Sequence, residues 1–331
     1  MLTARNPPHT SSRNLNLASH PAPGNTGHFS ASMATNETPE LSACSTPTAT
    51  AKVFPQSSFF QERRAPALPS PAEIRTLNEA SGDYRAASFN RPSPVLIPSM
   101  GLAVKYGADI TIAEVEAQVF MFDRLQGRVP VPEVFGWAEG GGQYFLYMSL
   151  IEGDTLQARC STMNESERQA VCKELRSMVN AWRALTQEPD RYIGGVGKRP
   201  LNDIFVVGHV DRGRDGPFLG ADAVQEFHDI CGIDIGGDIP ITFTHNDLCP
   251  PNILVSYGPN PKVVGIIDWA QSGWYPSYWE YCKARRVGVV DEDFNFAVAE
   301  ESHTIYQPEV IDPVDNEMFY HPWLYFMLAN I

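Results

Sequence analysis

Three stretches of the 331-residue chain carry residue types, in an order, that suit phosphoryl transfer. The first is His245-Asn246-Asp247-Leu248-Cys249-Pro250-Pro251-Asn252, an H-x-D-x-x-x-x-N pattern set between the strand-like ITFT and the strand-like ILV. The second is KVVGIIDW, an apolar run that ends in Asp268, and the third, far upstream, is Lys105 in AVKYG, followed by Glu114 and Glu116. A polyphosphate carries several negative charges, and a lysine and a divalent cation must offset them as charge moves in the transition state. Mg²⁺ prefers carboxylate and amide oxygens, which Asp268 and Asn252 could supply. An acceptor hydroxyl must be oriented and lose its proton, a task for a separate carboxylate, Asp247. The four residues between Asp247 and Asn252 let the loop turn, so that one side chain faces the acceptor and the other the metal. Asp and Asn around a Pro-Pro pair could also be plain turn formers. The ordered surroundings favour the chemical reading. His245 is expected to brace the loop by hydrogen bonding rather than to act as a base.

These residues need elements to position them. Leu102, Val104 and Tyr106 alternate with Ala103 and Lys105, the pattern of a strand. The next stretch reads as a helix with Ile112, Val115, Val119 and Phe122 on one face. VPVPEVFGWAE and QYFLYMSLI, separated by glycines, read as a hairpin of two strands. Upstream, a Pro-rich approach leads to one short helix. From Glu152 the pattern turns helical: Val171, Leu175, Met178, Trp182 and Leu185 share a face, and Asn164 with Glu167 forms a capping-box signature. Residues 194–220 look loop-like, and a helix is expected near ADAVQEFHDI. Pro276 in GWYPSYWEY suits the first turn of a further helix.

Composition narrows the function. The formal net charge is −14, and residues 201–331 hold 20 acids against 6 bases, so the first 200 residues are balanced. This argues against nucleic acid as a general partner, since phosphate backbones want basic surfaces. An acidic C-terminal half would suit a cationic or polar small molecule, although a merely solvated acidic face gives the same count. No apolar run is long enough for a transmembrane helix. The six cysteines, Cys44, Cys160, Cys172, Cys231, Cys249 and Cys282, lack metal-site spacing and read as reduced thiols in a cytoplasmic protein. Residues 1–52 are expected to be a disordered tail, residues 53–150 a sheet lobe with its Pro-rich approach, and residues 151–331 a helical lobe, with one domain over about 95–331.

The segments GLAVKYG, VPVPEVFGW, FLYMSLIEGDTL, FTHNDLCPPNILV and IIDWAQSGWYPSYWEYCKA resemble the aminoglycoside phosphotransferase family of kinase-like enzymes, and within it a branch common in filamentous fungi. The resemblance spans about residues 95–285. It implies an α+β, two-lobed, protein-kinase-like fold: a small N-terminal antiparallel sheet lobe with one helix, and a larger, mostly helical C-terminal lobe. ATP would bind between the lobes with Mg²⁺. Carried over by position, Lys105 becomes the phosphate-binding lysine and Glu116 its helix partner. Met148, Ser149, Leu150 and Ile151 become the hinge beside adenine, Asp247 the catalytic aspartate, and Asn252 and Asp268 the Mg²⁺ ligands. The expected activity is phosphorylation of a small-molecule hydroxyl; a non-catalytic kinase-like binding protein is the alternative. Two departures stand out. Only Gly101 remains where a glycine-rich loop is expected, and Cys249 stands where the family often has histidine. A protein substrate is disfavoured, because GWYPSYWEY follows Asp268 too closely for a peptide-docking segment. Glu280 is expected to be a buried or capping residue before it is an acceptor ligand.

Overall fold

A computed structural model describes residues 50–187, 190–206, 215–287 and 302–329. The chain divides between Pro47 and Thr48. The expected tail falls almost wholly outside the described residues, but Ala51 and Lys52 do not belong to a tail: they begin β1 (Ala51–Val53), which pairs antiparallel with β4 (Val134–Gly140).

The first lobe is a five-stranded antiparallel sheet in the order β1-β4-β5-β3-β2, with β2 at Val95–Ile97, β3 at Leu102–Gly107 and β5 at Gln143–Ser149. One face, carrying Leu102, Val104, Tyr106, Phe135, Phe145 and Tyr147, packs against Phe59 and Ile74 of two helices that precede the sheet, α1 (Ser58–Gln61) and α2 (Pro71–Ser81). Helix α2 starts at a capping box: Ser70 accepts from the Glu73 amide, and Glu73 accepts from the Ser70 amide at 2.7 Å. On the other face, α3 (Ile112–Leu125) packs through Val115 against Val134 and Leu146. The outward alternation along β3 puts Lys105 on that α3 face.

The second lobe is built on helices α4 (Leu156–Cys160), α5 (Glu165–Arg183), α6 (Ala223–Cys231) and α7 (Trp279–Val287), with two further helices at Gln307–Val310 and His321–Ala329. Short strand pairs hold its upper surface. Strand β6 (Asp154–Thr155) pairs with β10 (Ile253–Val255), which pairs in turn with β11 (Val263–Ile266); β7 (Tyr192–Ile193) pairs with β8 (Phe218–Leu219), and β9 (Ile241–Thr244) with β12 (Gly273–Pro276). The fold is thus the expected two-lobed α+β arrangement. A further local expectation fails. Pro276 does not open a helix; it closes β12 opposite Ile241, and α7 begins at Trp279. Its missing N–H suits a strand end as well as a first helical turn, so the residue type alone could not choose. Cys172, Cys231, Cys249 and Cys282 are free, buried thiols.

Candidate active site

Lys105 joins the two lobes. Its Nζ donates to Glu114 of α3 at 2.6 Å and to Asp268 of the second lobe at 2.8 Å. Burial by itself would depress the ammonium's pKa, but Glu114 and Asp268 outweigh it and hold the lysine firmly charged. Burial pushes Glu114 up, against the pull of Lys105. Asp268 is also penalised by burial, yet Lys105 prevails and keeps it below the usual carboxylate range.

The helix partner of Lys105 is therefore Glu114 and not Glu116. Glu116 is exposed on the far side of α3, where Arg199 grips it through Nε and, at 2.7 Å, Nη2. The reason is helical phase. Residues two apart point in nearly opposite directions on a helix. The buried stripe of α3 is Glu114, Ala117, Gln118, Met121 and Leu125, with Val115 alongside, which leaves Glu116 outside. Of the stripe expected through Ile112, Val115, Val119 and Phe122, Val115 is buried and the others only partly, because α3 is covered on one side by the sheet and on another by the second lobe.

The loop after β9 is shaped from beneath. Asn246 has φ 65°, a left-handed conformation uncommon for a residue with a Cβ. Glu280, fully buried at the start of α7, holds that turn by accepting from the amides of His245 at 2.8 Å and Asn246 at 3.0 Å. Its other oxygen accepts from Trp182 Nε1 at 3.1 Å. The Asn246 amide group donates to Asp203 at 2.8 Å, and Asp203 also takes Lys283 at 2.9 Å and Trp279 Nε1 at 3.0 Å. Asp203 is wholly buried, but Lys283 and these donors offset the burial and keep it ionised. Nothing in the sequence pattern singles out Asp203 or Lys283, because their pairing joins groups far apart in the chain and neither stretch announces the other. Glu280, 1% exposed, braces the loop and is not open to an acceptor.

His245 is a brace as well. The Asp247 amide donates to its Nδ1 at 3.2 Å, so the ring proton sits on Nε2, which faces the Ile267 carbonyl at 3.0 Å. Burial lowers its pKa to about 4, which leaves it neutral at ordinary pH. Asp247 itself is half-buried, and its carboxyl is pushed up to about 6, by burial first and the nearby Asp268 among the lesser causes. Asn252 Nδ2 donates to the Asp247 backbone carbonyl at 2.9 Å and to its carboxylate at 3.0 Å. Because the Asn252 nitrogen is committed to Asp247, its amide oxygen is turned away and can serve a cation. Asp268 stands at φ 63°, a second strained residue in the same cleft. One amide and one carboxylate oxygen suit Mg²⁺, which keeps several waters and completes its shell with phosphates. Among the described residues no cluster of three His, Cys, Asp or Glu side chains forms a closed metal cage. Cys249 Sγ lies 3.9 Å from Asp247, with its thiol pKa pushed up by burial.

At the end of β5, Met148 packs in the cluster below α3 and its sulfur accepts from Gln118 Nε2 at 3.3 Å. The Ser149 amide donates to Glu133 O at 2.8 Å and the Leu150 amide to Gly101 O at 2.9 Å. Ile151 follows at the crossing into the second lobe. The turn at Gly101 is therefore tied to the Leu150 end of the sheet, not to the Lys105 end.

With this geometry in place, comparison with known proteins is direct. The family model described as "Phosphotransferase enzyme family" (APH) matches residues 108–305. The chain belongs to this family. The match begins just after the Lys105 strand and takes in Glu114, Asp247, Asn252 and Asp268. No curated protein matches the chain. Among solved structures, aminoglycoside phosphotransferase APH(4)-Ia is 15% identical, with 72% of this chain and 78% of that one covered and a TM-score of 0.45. A thermostable mutant of that protein in its apo form is 15% identical at a TM-score of 0.40, over 57% of this chain and 66% of the other, so the chain spans just under two thirds of that structure's length. APH(3'')-Id from Streptomyces rimosus ATCC10970, in complex with ADP and streptomycin, is 19% identical over 78% of this chain and 98% of that one, with a TM-score of 0.41. Among the described residues, no helix is long and apolar enough to cross a membrane.

Proposed function

We propose that the protein is an ATP- and Mg²⁺-dependent phosphotransferase that phosphorylates a hydroxyl of a small molecule. The observation that carries this reading is the Lys105 bridge, 2.6 Å to Glu114 and 2.8 Å to Asp268, spanning a cleft whose floor is the Asp247–Asn252 loop. In this reading Lys105 meets the phosphates, and Met148, Ser149, Leu150 and Ile151 border the adenine. Asp247 accepts the acceptor's proton; Asn252 and Asp268 hold Mg²⁺. The metal would neutralise charge on the phosphate oxygens. Asn252 orients the Asp247 carboxylate, and the braced turn at Asn246 aims it.

A small acceptor is supported by the chain after Asp268. A single turn (Trp269–Gln271), strand β12 and helix α7 follow at once, with no segment on which a peptide could lie. The acidic count of residues 201–331 favours a cationic or polar acceptor. The resemblance of segments such as FTHNDLCPPNILV and IIDWAQSGWYPSYWEYCKA supports a place in the fungal-type branch of the family. The reading is tested by ADP formation with ATP and MgCl₂ against a panel of hydroxylated metabolites. Asp247→Ala should cut turnover by about 10²-fold or more, as loss of a general base does, while the thermal shift with ATP is kept. Full turnover in that variant would remove Asp247 from the chemistry.

A further inference from the structure

The sheet order leaves β2 as the edge beside β3 among the described residues. Among the described residues no strand pairs with the free edge of β2 to carry a glycine-rich loop. The Gly101 turn cannot substitute, because it is tied to the Leu150 amide, roughly 13 Å along β3 from Lys105 at strand rise. The chain, however, enters β2 from the opposite end. Val95 pairs with Val104 and Ile97 with Leu102. Continued by one residue, that register sets Pro94 opposite Lys105, so residues 88–93 arrive at the lysine end of the sheet.

That segment is fastened in place. The Ala108 amide donates to Phe89 O at 3.1 Å and the Asp109 amide to Asn90 O at 3.3 Å, while Gln143 Nε2 reaches Phe89 O at 2.7 Å. Gly107, at φ 147°, permits the approach: a Cβ there would stand 2.0 Å from Asn90 O. On this segment rides Arg91. Its Nε donates to Asp109, just ahead of α3, at 2.8 Å, and its side chain is 74% exposed. Its charge is felt at Glu114, the partner of Lys105. An exposed ion pair of this kind is weak and readily exchanged. The lysine of the cleft is already shared: Lys105 is bound to both Glu114 and Asp268, and a nucleotide would add further negative charge.

We infer that Arg91 is a nucleotide-phosphate-binding residue, carried on residues 88–93 in the place that a glycine-rich loop takes, its guanidinium leaving Asp109 for phosphate oxygens when a nucleoside polyphosphate enters. The inference rests on the proposed ATP-dependent function and adds the residue that grips the phosphates.

The test is calorimetric titration of the full chain, as wild type, Arg91→Ala and Arg91→Lys, with ATP, ADP and adenosine in MgCl₂, folding being checked by circular dichroism. Arg91→Ala should weaken ATP by about ten-fold or more, the usual loss for a charge-assisted contact, and leave adenosine unchanged. Arg91→Lys should fall between, since a lysine keeps the charge and loses the fork. ATP binding by Arg91→Ala equal to wild type overturns the inference while the ATP site stands. Equal losses for ATP and adenosine also overturn it, as they mark a structural role. Wild type that binds no nucleotide at all removes the proposed function and this inference together.

Discussion

Lys105 illustrates what residue types can and cannot say. Its place on an alternating strand beside a glutamate of the next helix is legible in the sequence, but the choice between Glu114 and Glu116 is not. Two glutamates two residues apart differ by about half a turn, and only the true buried stripe decides between them. Thr111 caps α3 by accepting from the Glu114 amide at 3.3 Å, and the stripe through Ala117, Gln118 and Met121 then turns Glu114 inward. Glu116 follows from carrying the family resemblance over by position, which takes no account of helical phase. The two residues now make opposite predictions. Glu114→Gln should lower kcat/KM for ATP by about ten-fold or more, because it removes a charge-assisted partner from Lys105 in a buried setting. Glu116→Gln should stay within about two-fold, because its exposed pair with Arg199 is of the weak surface kind. Steady-state kinetics, or ATP affinity where no acceptor is in hand, separates them; the reverse ranking would restore Glu116.

At the scale of elements, legibility follows how local the determinant is. The capping box of α5 was visible as Asn164 and Glu167, and it is formed: Asn164 accepts from the Glu167 amide at 3.1 Å, and Glu167 accepts from the Asn164 amide at 3.0 Å. Helix ends of this kind are written within four residues. Asn164→Ala should therefore lower unfolding stability by about 1 kcal/mol with ATP affinity unchanged, as read by urea titration. Non-local placements were hidden. Gly101 looked like the remnant of a phosphate loop because it precedes the lysine strand. Its position is set by a bond to Leu150, forty-odd residues on, and by the absence of a strand beyond β2 among the described residues. Likewise the brace from Glu280 to the His245 and Asn246 amides joins groups 34 and 35 residues apart, and nothing in either segment announces the other.

The molecule as a whole buries histidines that must stay neutral, and this gives its stability a pH dependence of known sign. His228 faces the Ile235 carbonyl through Nδ1 at 3.2 Å and the Tyr278 hydroxyl through Nε2 at 2.9 Å, and burial lowers its pKa from the usual 6.5. His245 is lowered to about 4, again by burial. Below pH 6.5 the unfolded chain takes up a proton at each of these sites and the folded chain does not. More protons are then bound in the unfolded state, so stability falls as pH falls, and for His245 this runs down to about pH 4. Above pH 6.5 the contribution is complete and flat. Glu114 and Glu280, raised by burial, act in the opposite sense, since the folded state binds protons more readily there. A comparison of variants isolates one histidine from these. His228→Leu should cost stability at pH 7.5, and that cost should shrink as the pH is lowered from 6.5 to 5. The shrinkage can reach at most about 1.4 kcal/mol per pH unit, the limit for one proton. Urea titrations of both proteins at stepped pH measure it. A penalty that is constant across this range would mean that His228 titrates alike in the folded and unfolded chains, and its buried place between α6 and Tyr278 would then have no electrostatic consequence.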